Sequence, residues 1–110
     1  MKYGLSESTI QKICAVLSRY PHVEKAILYG SRAKGNFKNG SDIDLTLHGS
    51  ELTLNVLYRI LDDLEELLLP YTIDLSAFKN ISDPDVIEHI QRVGTVFYDK
   101  NETIPELVFA

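Results

Sequence analysis

The most informative part of the sequence reads Gly30-Ser31-Arg32-Ala33-Lys34-Gly35 and, after a loop, Ser41-Asp42-Ile43-Asp44-Leu45. The residues just before it, Val23 to Tyr29, are short, apolar and partly β-branched, which predicts a first strand that runs into Gly30. Asp42 to Leu47 alternates strictly between polar and apolar residues, which predicts a second strand. The four residues 31–34 fit a short helix that begins directly after the first strand.

The second strand has one apolar face and one polar face, because successive side chains of a strand point to opposite sides. Ile43, Leu45 and Leu47 share the apolar face, and Asp42, Asp44 and Thr46 share the polar one. Two carboxylates about 7 Å apart along one face repel each other, and nothing is gained in stability unless a cation lies between them. Carboxylate oxygens suit Mg²⁺, and two such ions about 3.5–4 Å apart would clamp the attacking and leaving oxygens of a phosphoryl transfer.

Asp74 is the candidate for a third carboxylate at this site. It is a polar residue within Thr72 to Phe78, an alternating segment that predicts a third strand. If the third strand lies beside the second, Asp74 can face the same side as Asp42 and Asp44. It would then complete a metal site and could take the proton of an attacking hydroxyl.

Gly30 and Ser31 are candidates for binding phosphate. A glycine at the end of a strand lets a ligand approach the backbone closely, and amides at the start of a following helix attract anions. The Ser31 hydroxyl can donate to a phosphate oxygen, while Arg32 and Lys34 offer positive charge nearby or are simply solvated.

Hydrophobic spacing elsewhere predicts three longer helices and a last strand. The first helix has Ser8 as its N-cap, in a capping box with Gln11, and ends before Pro21. The remaining elements are a Leu-rich helix over Leu52 to Leu69, a helix that starts at Ser82-Asp83-Pro84 and ends near Gly94, and a strand over Thr95 to Tyr98. The order α-β-α-β-α-β-α-β predicts an α+β fold with helices packed on one mixed sheet.

Length and composition restrict the function classes. The 110 residues suffice for one small domain over 1–110, and the net charge of −5 argues against non-specific nucleic-acid binding. One cysteine permits no internal disulfide, which suits the cytoplasm, and no apolar run approaches the roughly 20 residues that cross a membrane. The tail from about 100 to 110 ends in apolar residues, and we expect it to bind a partner or to be mobile.

Taken together, Gly30-Ser31, Asp42-Ile43-Asp44 and Asp74 resemble the signature of the DNA polymerase β-like nucleotidyltransferase superfamily. The short chain is most similar to the minimal nucleotidyltransferases, or MNT proteins, which act as antitoxins in HEPN/MNT toxin–antitoxin pairs. The resemblance implies the nucleotidyltransferase fold and transfer of a nucleoside monophosphate, AMP from ATP, with release of pyrophosphate. It implies that Asp42 and Asp44 hold two Mg²⁺ ions, that Asp74 holds the catalytic one, and that Gly30 and Ser31 grip the β- and γ-phosphates.

The resemblance also implies a partner, a helical HEPN protein encoded nearby, with a tyrosine hydroxyl as the acceptor. The larger enzymes of the superfamily have a second domain that this chain lacks, so another chain or a second copy must bind much of the substrate. Two alternatives stay open. The chain could bind nucleotide and neutralise its partner by contact alone, or it could be the catalytic subunit of a two-chain antibiotic nucleotidyltransferase.

Overall fold

The computed structural model describes residues 1–102 of the chain, so most of the tail predicted to bind a partner or to be mobile lies outside the described residues. In chain order the elements are α1 (Glu7–Ser18), β1 (Lys25–Tyr29), α2 (Ser31–Lys34), β2 (Ile43–His48), α3 (Leu54–Glu65), β3 (Ile73–Ala77), a 3₁₀ turn (Phe78–Asn80), α4 (Pro84–Val93) and β4 (Thr95–Asp99). The predicted α+β class and the order of elements are confirmed. Within the described part of the chain, no helix is both long and apolar enough to cross a bilayer.

The four strands form one mixed sheet in the order β3-β2-β1-β4. Strand β1 lies antiparallel to both β2 and β4, whereas β2 and β3 run parallel. Parallel neighbours need a crossover connection, and here α3 provides it. The sheet therefore places β2, with its alternating pattern, between β1 and β3.

One face of the sheet packs against the helices and forms one side of the hydrophobic core. The predicted apolar side chains of β2, Ile43, Leu45 and Leu47, are at most 1% exposed. Helices α1 and α3 cover this face with a set of residues that are at most 8% exposed: Ile13, Val16, Leu17, Leu57, Ile60 and Leu64. The acidic side chains of β2 consequently lie on the opposite face.

Two helix boundaries differ from those predicted. The N-cap of α1 is Ser6, whose hydroxyl accepts from the Thr9 amide at 3.1 Å, so the predicted capping box at Ser8 is wrong. Lys2 and the fully buried Leu5 pair across a tight turn at Tyr3 and Gly4, and Ser6, which follows in extended conformation, caps the helix two residues before the predicted position. Helix α3 ends at Glu65 rather than Leu69, and Leu68, three residues later, adopts a left-handed φ of 54° that is incompatible with a helix continuing to Leu69.

Arg32 ties three separate segments together. Its guanidinium donates to the carbonyl oxygen of Ser41 through Nε at 3.0 Å and Nη2 at 2.8 Å, and to that of Tyr3 through Nη1 at 2.8 Å. Its Cζ lies 4.8 Å from the centre of the Tyr71 ring and 5.3 Å from that of Phe37, and the residue is only 2% exposed. Arg32 thus fixes the loop between α2 and β2 and the N-terminal segment.

We predict that Arg32→Ala lowers the free energy of unfolding by about 3 kcal/mol, because it leaves buried carbonyl oxygens without donors. Lys34→Ala is the control, since Lys34 is an exposed cation on the same helix, and it should change stability by less than about 0.5 kcal/mol. Arg32→Lys should not restore stability, because an ammonium cannot reproduce the planar set of donors. Urea unfolding measures all three, and an Arg32→Ala protein as stable as the wild type contradicts the assignment.

Candidate active site

The acidic residues meet where β2 and β3 pair. In the parallel register Asp44 lies directly opposite Asp74, so both carboxylates stand on the face of the sheet away from the core. Asp42 immediately precedes β2 on the loop side. Asp42 and Asp74 are exposed and Asp44 is half-buried, so the site is an open acidic face with its innermost carboxylate at residue 44.

The charges of this face act on Asp44. Burial raises the pKa of its carboxyl, and the neighbouring negative charges of Asp74 and Asp42 raise it further. Within residues 1–102, no three acidic, histidine or cysteine side chains are grouped tightly enough to hold a metal ion as they stand. The structure pairs Asp44 with Asp74 and keeps Asp42 close enough to raise the pKa of Asp44. Such a set of hard oxygen donors fits a divalent cation.

Gly30 lies against the Asp44 carboxylate. Its backbone angles, φ 77° and ψ −157°, belong to a region that only glycine adopts readily. A Cβ atom on this residue would lie 2.2 Å from Oδ2 of Asp44, so a side chain cannot be accommodated without moving the acid. The end of β1 and the acidic face of β2 thus fit together only with glycine at position 30.

The other residues predicted to bind phosphate lie on α2, with different outcomes. Ser31 opens the helix and is half-buried, and Lys34 is exposed at its end. Arg32 differs from the expectation, because its guanidinium is buried and hydrogen-bonded to carbonyl oxygens rather than presented to a phosphate. Its role in the structure is to hold the loop that leads into Asp42.

Two residues at the site were not predicted. The imidazole Nε2 of His89, on α4, accepts a hydrogen bond from the Gly30 amide at 3.1 Å. Tyr29 pairs with Asp44 across β1 and β2, and its ring packs edge-on to His89 with centroids 6.2 Å apart. Burial, together with the charges of Asp74 and Asp44, raises the pKa of Tyr29. A helical stripe through Val86, His89, Ile90 and Val93 is the one sequence signal that could have placed His89 inward.

A cavity of about 360 Å³ lies elsewhere, at the opposite end of β1 from Gly30. It is lined by Pro21, His22, Glu24, Ser50, Glu51, Lys100 and Asn101. None of the predicted site residues contributes to it. The predicted acidic residues thus lie outside this cavity, on an open face of the sheet.

Comparisons with known proteins agree with this geometry. The family described as Polymerase beta, Nucleotidyltransferase matches residues 11–103. No curated protein matches the chain in sequence.

Several solved structures share the fold. A toxin–antitoxin structure with AMP-PNP superposes with a TM-score of 0.66 at 20% identity, over 88% of this chain and 76% of that chain. The tri-AMPylated Shewanella oneidensis HEPN toxin in complex with MNT antitoxin gives 0.64 at 16% identity, over 86% and 73%. The toxin–antitoxin MntA-HepT gives 0.64 at 18% identity, over the same fractions of the two chains. At such identities these likenesses concern the fold, whereas the family match covers most of the sequence. The chain belongs to the polymerase β nucleotidyltransferase family.

Proposed function

We propose that this chain transfers AMP from ATP to a tyrosine hydroxyl of a helical HEPN partner, and that it thereby acts as an antitoxin. The observation that carries the proposal is the in-register pairing of Asp44 with Asp74 beside Gly30. Two carboxylates held side by side on an open face weaken the fold, so their arrangement is best explained by a function that requires it.

Mg²⁺ is the cofactor that this donor set suits. Asp42 and Asp44 would hold two ions, and Asp74 would complete the site for one of them. The bound cations would neutralise the charge of the triphosphate and of the developing transition state. Gly30 and Ser31 would hold the β- and γ-phosphates, with Lys34 as an exposed cation near the same turn.

The transfer step then needs little covalent chemistry from the protein. The acceptor hydroxyl oxygen forms a bond to the α-phosphorus of ATP, and the bond from that phosphorus to the bridging oxygen of pyrophosphate breaks. The hydroxyl proton passes to the Asp74 carboxylate, which is exposed and so accessible to an incoming acceptor. The residues of the chain contribute positioning and electrostatic complementarity.

A protein acceptor suits an open site. Asp42 and Asp74 are exposed, and the 360 Å³ cavity of this fold lies at the other end of β1. The solved relatives with the same fold include an MNT antitoxin in complex with an AMPylated HEPN toxin and a toxin–antitoxin structure with AMP-PNP, which supports both the partner and the nucleotide. A second chain would supply the substrate contacts that a single small domain lacks.

We predict that Asp44→Asn lowers the rate of AMP transfer by about 10³-fold, because it removes a charge that would hold the cations. The measurement is incorporation of α-labelled ATP into the partner protein encoded beside this chain. Asp62→Asn is the control, since Asp62 is an exposed carboxylate on α3, and it should keep the wild-type rate.

Transfer that survives Asp44→Asn contradicts the proposed mechanism. A wild-type chain that suppresses the toxin but transfers no label supports neutralisation by contact alone. Label that appears on an aminoglycoside and not on the partner supports the antibiotic-modifying alternative.

The same substitution should raise the melting temperature at pH 7. The pKa of Asp44 in the folded protein lies above the ordinary value of 3.8, so the native state binds this proton more tightly than the unfolded state. Stability from this group is therefore lost as the pH rises from about 3.8 through the folded pKa, and the ionised carboxylate is destabilising at neutral pH. Asn carries no charge, so the difference between the two proteins should shrink at pH 3.5.

Thermal melts with and without 10 mM MgCl₂ complete this test. Mg²⁺ should raise the melting temperature of the wild type at pH 7 and leave Asp44→Asn unchanged. An equal response of both proteins contradicts a role for Asp44 in holding the cation.

We predict that Gly30→Ala both destabilises the fold and abolishes transfer. The backbone angles cost about 1–3 kcal/mol for a residue with a Cβ, and the atom would displace Asp44. Gly35→Ala is a matched control, because Gly35 also has a positive φ of 89° but open space around it. It should cost about 1 kcal/mol and keep transfer within about threefold of wild type. Normal transfer by Gly30→Ala contradicts the close fit.

A further inference from the structure

We propose that His89 is a positioning residue of the nucleotide site, which holds the Gly30 turn against Asp44 by accepting a hydrogen bond from the Gly30 amide. This inference rests on the proposed function and extends it to a residue outside the Gly-Ser and Asp motifs. Because the Gly30 amide already donates to His89, phosphate held at the Gly30-Ser31 turn would be bound by the amides and the hydroxyl that follow Gly30, and Gly30 would contribute by its lack of a side chain.

The contact joins two parts of the chain that are 59 residues apart. The Gly30 N–H donates to Nε2 of His89 at 3.1 Å, in a half-buried position. The accepting nitrogen must carry a lone pair, so the ring that makes this bond is protonated only at Nδ1. Helix α4 is thereby connected directly to the turn between β1 and α2.

The imidazole is itself held in place. Its ring meets the Tyr29 ring edge-on at 6.2 Å, and Tyr29 is the β-sheet partner of Asp44. At the C-terminal end of α4, the C-cap residue Gly94 packs so closely on β1 that a Cβ atom on it would lie 2.8 Å from Cγ2 of Ile27. This close packing holds α4 against β1. The hydrogen bond from Gly30 to His89 then holds the Gly30 turn in place relative to α4.

The position of the Gly30 turn affects the site because Gly30 and Asp44 are packed closely together. The space for a Cβ on Gly30 is occupied by the Asp44 carboxylate, so a small displacement of the turn changes its distance from the acid. For a nucleotide that contacts both the turn and the carboxylates, this displacement would mainly weaken binding. The chemical step, which takes place at the acids, would be affected less.

Three variants separate positioning from general stability. His89→Leu removes the acceptor, His89→Gln keeps an acceptor oxygen at similar reach, and Gln91→Leu places the same new side chain at an exposed position of α4. The full chain, labelled with ¹⁵N, gives the first readout: a coupling across the hydrogen bond between the Gly30 and His89 nitrogens, and the exchange rate of the Gly30 amide. AMP-PNP with MgCl₂ is the probe for nucleotide affinity.

We expect the coupling in the wild type, and about tenfold faster exchange of the Gly30 amide in His89→Leu. His89→Leu should also bind AMP-PNP about tenfold more weakly, with the transfer rate at saturating ATP within about threefold of wild type. His89→Gln should stay within about threefold of wild type in affinity, and Gln91→Leu should match it.

The inference is overturned if the wild type lacks the coupling, or if His89→Leu binds AMP-PNP as tightly as Gln91→Leu. The wild-type measurement needs no variant, so it stands even where a substitution impairs folding. Failure of the wild type to bind AMP-PNP at all overturns the proposed function and this inference together. Equal binding by all variants overturns the inference alone.

Discussion

The parallel pairing of β2 with β3 is the constraint on which the rest of this structure depends. It sets Asp44 opposite Asp74, and two neighbouring carboxylates near a surface repel by about 1–3 kcal/mol. The same two strands bury apolar side chains on their other face. Ile43, Leu45 and Leu47 each contribute about 2 kcal/mol, which exceeds the repulsion and keeps the strands paired. Burial of apolar side chains on one face of the sheet therefore keeps the acidic residues paired on the other face.

The Gly30 turn shows how closely the site is fitted around this acidic face. Gly30 occupies a backbone conformation reserved for glycine, and the room for its missing side chain is taken by Asp44. The Gly30 amide donates to His89, and Arg32 fixes the loop that leads to Asp42 by donating to the Ser41 carbonyl oxygen. These contacts join three segments of the chain, namely residues 30–32, residues 41–44 and helix α4. A displacement of the Gly30 turn or of the loop before Asp42 therefore changes how the turn and the acids lie relative to each other.

The alternation of polar and apolar residues was enough to predict which face of the sheet carries Asp44. On the assumption that β3 lies beside β2, it also predicted that Asp74 lies on the same face. Alternation has a period of two, so it determines faces without knowledge of the fold. The role of Arg32 could not be predicted, because a guanidinium beside a glycine turn suits a phosphate as well as internal carbonyls. His89 meets its partner across 59 residues, and no local rule reports such a contact. Leu68 continues the helical spacing of α3, yet the helix ends at Glu65 and Leu68 is left-handed, which the spacing of apolar residues does not report.

The α3 crossover has a consequence for biosynthesis. A nascent chain that has emerged only as far as residue 70 contains Gly30, Asp42 and Asp44 but neither Asp74 nor His89. The β1–β2 hairpin can form early from neighbouring residues, whereas the parallel pairing must wait for the whole crossover to be synthesised and closed. A chain that stops before β3 thus lacks part of the candidate site, which is assembled only after β3 pairs with β2 and α4 brings His89 to Gly30.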